Sequence, residues 1–280
     1  MSKYFEQTRR SSDRERAAVA TRPEMQDVLE VVAKNTGAAP RKAPEDRLGN
    51  ARRIRLPLQP GGVLLMPGNE STAAALEAYR ALRTRLLRTQ SAQGLHSVVL
   101  TSAMTGEGKT LTTINLGLCC AQLNDYRVLL IDSDLRTSGL SRLAGISEGL
   151  GLNDVLAGRV GFSDAIVATD LPNLFILPAG TCETPAPELF ASTRWKALID
   201  WCHETFRLTL VDSPPLLPVA DFEQIVSCCD SALMIVRALK TQRELLKKAS
   251  ERIDPKKMLG VVFNGASVEA NGYYGYGPNS

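Results

Sequence analysis

The sequence predicts an α/β fold: a doubly wound, mainly parallel sheet flanked by helices, with a disordered N-terminal segment and a mobile C-terminal tail. Three observations carry this. Short Val/Ile/Leu-rich runs alternate with helical stretches from about residue 97 to 263. A glycine-rich turn joins the first run to the helix after it, and aspartates close two of the later runs. With 280 residues, 44% of them hydrophobic, the chain can bury one large core.

Taken in order, residues 1–67 are rich in charge, Pro and Gly, and 37–62 read as a linker. Within this segment Met25, Val28, Leu29 and Val32 recur at the spacing of a short amphipathic helix. A longer helix starts near Asn69 or Ser71, either of which can cap it, and runs to about Gln90. Its stripe Leu76, Tyr79, Leu82 and Leu86 should pack on the domain, with Glu77, Arg80 and Arg83 along one border. A strand at 97–101, a helix at about 109–123 and a strand at 127–132 follow. Further strands are expected at 174–177, 208–211, 232–236 and 260–263, with helices between them that include 187–206 and 241–253. These strands are apolar on both faces, as a parallel sheet covered by helices requires. The domain so drawn spans 68–268. Residues 269–280 are Gly-spaced, nearly free of aliphatic side chains, and hold Tyr273, Tyr274 and Tyr276.

The net charge of +3 is unevenly spread. Residues 1–60 carry 13 Lys/Arg against 8 Asp/Glu, which leaves 20 against 22 for the rest of the chain. The folded part is therefore not a basic, nucleic-acid-binding surface. The six cysteines form no CxxC pair, and only His96 and His203 could join them on a metal, so buried reduced thiols are expected. No signal peptide and no apolar run of membrane-spanning length is visible. The expectation is a cytoplasmic protein that reaches a membrane only through a partner.

The turn reads Ala103-Met104-Thr105-Gly106-Glu107-Gly108-Lys109-Thr110, which is GxxxxGK[ST] with Ala103 in place of the first glycine. Gly106 and Gly108 let backbone N–H groups curl around phosphate oxygens. The helix that opens at Lys109 points its positive end at the same anion. Lys109 adds a point charge for the β- and γ-phosphates, and Thr110 can ligate Mg²⁺. Thr105, Gly106, Glu107, Gly108, Lys109, Thr110 and Leu111 are accordingly the candidate ATP-binding residues. The motif follows an apolar strand and opens a helix, as its chemistry demands, and this identifies a P-loop NTPase-like domain.

Asp132 and Asp134 end the strand at 127–132, and Asp212 ends the strand at 208–211. Ligands of open parallel sheets sit beyond such strand ends, where the phosphate loop also lies. One of Asp132 and Asp134 can hold Mg²⁺ while the other accepts a proton from an attacking hydroxyl. Asp212 stands where a further Mg²⁺-organising carboxylate is expected.

With these motifs in place, residues 68–280 resemble the bacterial tyrosine kinases, the autokinases of capsule and exopolysaccharide export. That family follows its phosphate loop with hhhhDxDxR, matched by Asp132, Asp134 and Arg136, and later with hhhDxPP, matched by Asp212, Pro214 and Pro215. An ExxRxxR motif precedes the first core strand, matched by Glu77, Arg80 and Arg83, and a tyrosine cluster ends the chain. The resemblance implies that Asp132 assists deprotonation of the acceptor tyrosine, with Asp134 and Asp212 organising Mg²⁺, and it adds Arg136 to the catalytic set. It implies adenine recognition by Asn264, phosphorylation of Tyr273, Tyr274 and Tyr276, and subunit contacts through Glu77, Arg80 and Arg83 in a ring-like homo-oligomer, an octamer being one such ring. It also implies a separate membrane polysaccharide co-polymerase as adaptor and a cognate tyrosine phosphatase.

Two rival readings share the phosphate loop. A partition or site-placement ATPase resembles this chain but carries a second lysine near the start of the loop, where Met104 stands here. A catalytically weak scaffold would not need the set Lys109, Thr110, Asp132 and Asp134.

Overall fold

The computed structural model describes residues 48–49, 51–58, 64–65, 73–181 and 185–266. Their strands are β1 (Arg52–Ile54), β2 (Ser97–Ser102), β3 (Val128–Asp132), β4 (Val167–Thr169), β5 (Leu174–Leu177), β6 (Leu208–Asp212), β7 (Ser231–Arg237) and β8 (Met258–Asn264). They form one sheet in the order β1-β4-β5-β3-β6-β2-β7-β8, parallel throughout except between β4 and β5. The helices are α1 (Ala73–Gln93), α2 (Lys109–Cys120), α3 (Gly139–Leu143), α4 (Leu152–Leu156), α5 (Ala186–Phe190), α6 (Thr193–Thr205), α7 (Phe222–Ser227) and α8 (Arg243–Glu251).

The central strands sort their side chains into two layers by the period of two. Along β2, Val98 and Leu100 enter one cluster and Val99 enters the other. Leu130 and Leu129 of β3 divide the same way. The Val98 layer is closed by Leu86 of α1 and by Ile114, Leu116 and Leu118 of α2. The Val99 layer is closed by Leu189 and Phe190 of α5, by Trp195, Leu198 and Ile199 of α6, and by Phe222 of α7. Each large aliphatic side chain so buried contributes about 1.5–3 kcal/mol before chain entropy is counted. Four of the five described cysteines are buried thiols, as expected.

Four features depart from the sequence reading. The stretch read as linker supplies β1, whose Arg52, Arg53 and Ile54 pair with Val167, Ala168 and Thr169 of β4, while Leu56 and Leu64 are buried. Its arginines made it look unstructured, but an edge strand needs only one buried face and is blunted by charge on the other. The domain therefore includes sheet residues N-terminal to 68. β4 itself, three residues long, offers too little pattern to read. The expected helix at 187–206 is two helices, because Ser192 is extended (φ −73°, ψ 153°) and its hydroxyl donates to the Leu189 carbonyl at 2.6 Å. Finally, β8 is not apolar on two covered faces: Val261 is 44% and Phe263 62% exposed at the sheet edge. The helix near Met25, the caps at Asn69 and Ser71, and the tail tyrosines lie outside the described residues.

Candidate active site

The connection from β2 to α2 is the phosphate loop. Gly106 and Gly108 have φ of +83° and +93°, the left-handed region open to glycine. A Cβ at Gly108 would also meet the Asn264 amide, which would have to shift. No side chain caps the start of α2, so its first N–H groups face the loop without a side-chain partner. Lys109 is buried, and its Nζ lies 3.4 Å from Asp134 Oδ2. Thr105 is exposed at the loop apex, whereas Leu111 is half-buried and packs on the core.

Asp132 and Asp212 end neighbouring strands and are paired in register. Ser133 fastens the two ends by donating from its N–H (2.9 Å) and its hydroxyl (2.7 Å) to the Asp212 carbonyl. Asp132 Oδ2 accepts from the Ser141 N–H at 2.8 Å and the Ser141 hydroxyl at 2.7 Å, while Asp132 Oδ1 is buried with no partner. Burial pushes this carboxyl up to about 6, although both Ser141 bonds pull it down. Asp212 Oδ1 accepts from Thr113 Oγ1 at 3.4 Å, and its Oδ2 is likewise buried and unpartnered. Burial raises Asp212 to about 8 against the pull of Lys109 and of the Thr110 hydroxyl.

Two orphaned carboxylate oxygens, a buried ammonium at Asp134 and an uncapped helix start fit a cation held together with phosphate oxygens. Among the described residues, no three His, Cys, Asp or Glu side chains form a metal site by themselves. Thr110, Asp134 and Asp212 are the residues that could hold Mg²⁺ with nucleotide in place.

The structure thus brings Lys109, Thr110, Asp132, Asp134 and Asp212 together. Arg136 pairs with the buried Asp221 at 3.1 Å. Asn264 donates its amide to the Glu107 carbonyl at 2.9 Å, so it braces the loop. The Glu107 carboxylate is buried and accepts from the Met104 N–H at 3.1 Å and from the Thr241 hydroxyl. On α1, Leu76 and Leu86 are buried, as the stripe predicts, with Tyr79 and Leu82 packed beside the core. Glu77 and Arg80 pair with each other on the outer surface. Arg83 is buried instead and donates to the Cys119 carbonyl at 2.7 Å.

Ser141, Thr113, Asp221 and Thr241 were not singled out from sequence. Thr113 was readable, since it lies one turn beyond Lys109 on the same helix face. Ser141 carries no such signal: it reaches Asp132 only through the short α3.

Residues 98–272 match the model of the CobQ/CobB/MinD/ParA nucleotide binding domain. Tyrosine-protein kinase YwqD of Bacillus subtilis is 31% identical over 202 residues, which cover 71% of this chain and 85% of that protein. Tyrosine-protein kinase wzc of Salmonella typhi is 34% identical over 217 residues, 76% of this chain but only 30% of that protein's length. The kinase domain of Escherichia coli tyrosine kinase ETK superposes with a TM-score of 0.67 at 27% identity, covering 75% of this chain and 83% of the domain. Phosphate loop, strand-end aspartates and relatives agree, and the chain belongs to the bacterial tyrosine-protein kinases of the CobQ/CobB/MinD/ParA nucleotide-binding family.

Proposed function

We propose that the chain is a Mg·ATP-dependent protein-tyrosine kinase that phosphorylates Tyr273, Tyr274 and Tyr276 on a neighbouring subunit and thereby regulates polysaccharide polymerisation and export. The observation that carries this reading is the pair Asp132 and Asp212, each keeping one buried carboxylate oxygen without a partner, with Lys109 acting on Asp212. Mg·ATP, when bound, supplies the phosphoryl group. Lys109 and the loop N–H groups would offset its charge, and Asp134, Asp212 and Thr110 would hold the cation. Asp132 receives the tyrosine proton as the new O–P bond forms and the bond from the γ-phosphorus to the departing ADP breaks. A carboxylate lifted to about 6 is a better base than an ordinary one and is still ionised at pH 7.

Subunit contact through Glu77 and Arg80, a membrane adaptor and an opposing phosphatase complete the reading, and they rest on the family resemblance. No described helix is long and apolar enough to cross a membrane. The test mixes Lys109→Met protein, its tail intact, with active protein whose three tail tyrosines are Phe. Phosphotyrosine on the inactive partner's tail is the expected result. An unmodified partner would contradict transfer between subunits.

A further inference from the structure

Glu107 is an acid inside an anion-binding loop, which calls for an explanation. Its carboxylate is buried and accepts from two donors, the Met104 N–H within the loop and the Thr241 hydroxyl outside it. The Thr241 hydroxyl accepts from the Arg237 N–H at 3.0 Å. With that lone pair engaged, its single proton is directed to Glu107. A second tie runs in parallel, because Asn264 donates to the Glu107 carbonyl at 2.9 Å and its own carbonyl accepts from the Ala238 N–H at 2.9 Å. Glu107 is thus held at its side chain by the turn between β7 and α8, and at its backbone by the end of β8, which that turn engages in its own right.

That turn is itself strained. Leu239 has φ of +61° and is 100% exposed, a conformation and a setting that suit neither its Cβ nor its apolar side chain. The bonds from Lys240 N–H (3.2 Å) and Thr241 N–H (3.0 Å) to the Arg237 carbonyl close the turn around it and bring Thr241 to the loop.

From this geometry we propose that Thr241 is a positioning residue: its hydroxyl, through Glu107, holds the phosphate loop in the shape that receives nucleotide. The bond goes to a charged acceptor and so belongs to the stronger class. Without it, binding must first order the loop, and the loss falls on affinity and KM, leaving turnover at saturation largely intact. The proposal rests on the nucleotide-binding part of the reading above and does not require that the acceptor be tyrosine.

The test uses full-length protein, Mg²⁺ and a fluorescent N-methylanthraniloyl ATP, titrated to a dissociation constant. Thr241→Val, which keeps the shape but removes donor and acceptor, should weaken binding about tenfold. Thr241→Ser, which keeps both, should bind within about twofold of the parent. Glu107→Gln with Thr241→Val should lose no more than the worse single change, since Thr241 acts through Glu107. Equal affinity in parent and Thr241→Val overturns the proposal, as does equal weakening by Val and Ser. Thr241-dependent binding in a protein that makes no phosphotyrosine supports the proposal and overturns only the kinase reading.

Discussion

Aspartates at the two ends of the sheet are treated in opposite ways. At the start of β2, Asp230 Oδ2 accepts from the His96 N–H (2.8 Å), the Ser97 N–H (2.8 Å) and the Ser97 hydroxyl (3.0 Å), with His203 at 3.5 Å. Its side chain is 34% exposed, so water serves what the protein does not. At the far end Asp132 and Asp212 are fully buried, and each is left with an oxygen that has no donor. The first arrangement staples backbone and is complete as it stands. The second costs stability and leaves capacity for a ligand, which is how a site differs from a fastening.

Lys109→Met attacks the incomplete end most directly. Removing the ammonium beside Asp134 and Asp212 should lower phosphoryl transfer by about 10²–10³, measured as phosphotyrosine formed under single-turnover conditions. Parental turnover in this variant would break the comparison at once.

Asp212→Asn tests whether burial there is costly. Folding lifts the Asp212 carboxyl from 3.8 to about 8, so between those values the folded state keeps a proton that the unfolded state has lost. Stability contributed by this group therefore falls as pH rises across that window. Asparagine should stabilise the nucleotide-free protein by about 1–3 kcal/mol at pH 8 while disabling it, and the gain should fade toward pH 4. Denaturant unfolding at the two pH values measures it. A gain independent of pH would contradict the burial argument.

Asp230→Ala is the control from the other end. Freeing the His96 and Ser97 donors should cost about 1–3 kcal/mol of stability and leave nucleotide affinity unchanged. A selective loss of affinity would mean that the two ends are not separate in function.

The smallest expected effects on the fold lie on α1. Arg80→Ala removes an exposed pair worth about 0.2–0.5 kcal/mol, and under the proposed subunit contact it should lower the mass seen by light scattering without unfolding the chain. Arg83→Ala instead leaves the Cys119 carbonyl without its buried donor, so lost assembly in that variant must be judged against its melting temperature.

These contrasts also explain what could be read from the sequence. Val98, Val99 and Leu100 announce a buried strand by composition alone, and the phosphate loop and strand-end aspartates announce a site by position. Arg52–Ile54 was hidden because an edge strand may be charged, and β4 because three residues hold no period. Arg83 looked like a surface charge because spacing places it near the border of the apolar stripe. Only the contact with Cys119 shows it turned inward. Ser141 and Thr241 were unreadable for a shared reason: each acts through one hydroxyl on a partner brought close by tertiary packing.

The most direct measurement of the central claim follows Asp132→Asn beside the parent, both saturated with Mg·ATP, as the rate of phosphotyrosine formation across pH. With the parent, the rate should rise with pH as the buried Asp132 carboxyl ionises and then level off. Asp132→Asn should bind nucleotide yet fall about 10²–10⁴-fold in rate and lose that inflection. A variant that forms phosphotyrosine at the parental rate, with the same pH profile, would contradict the account.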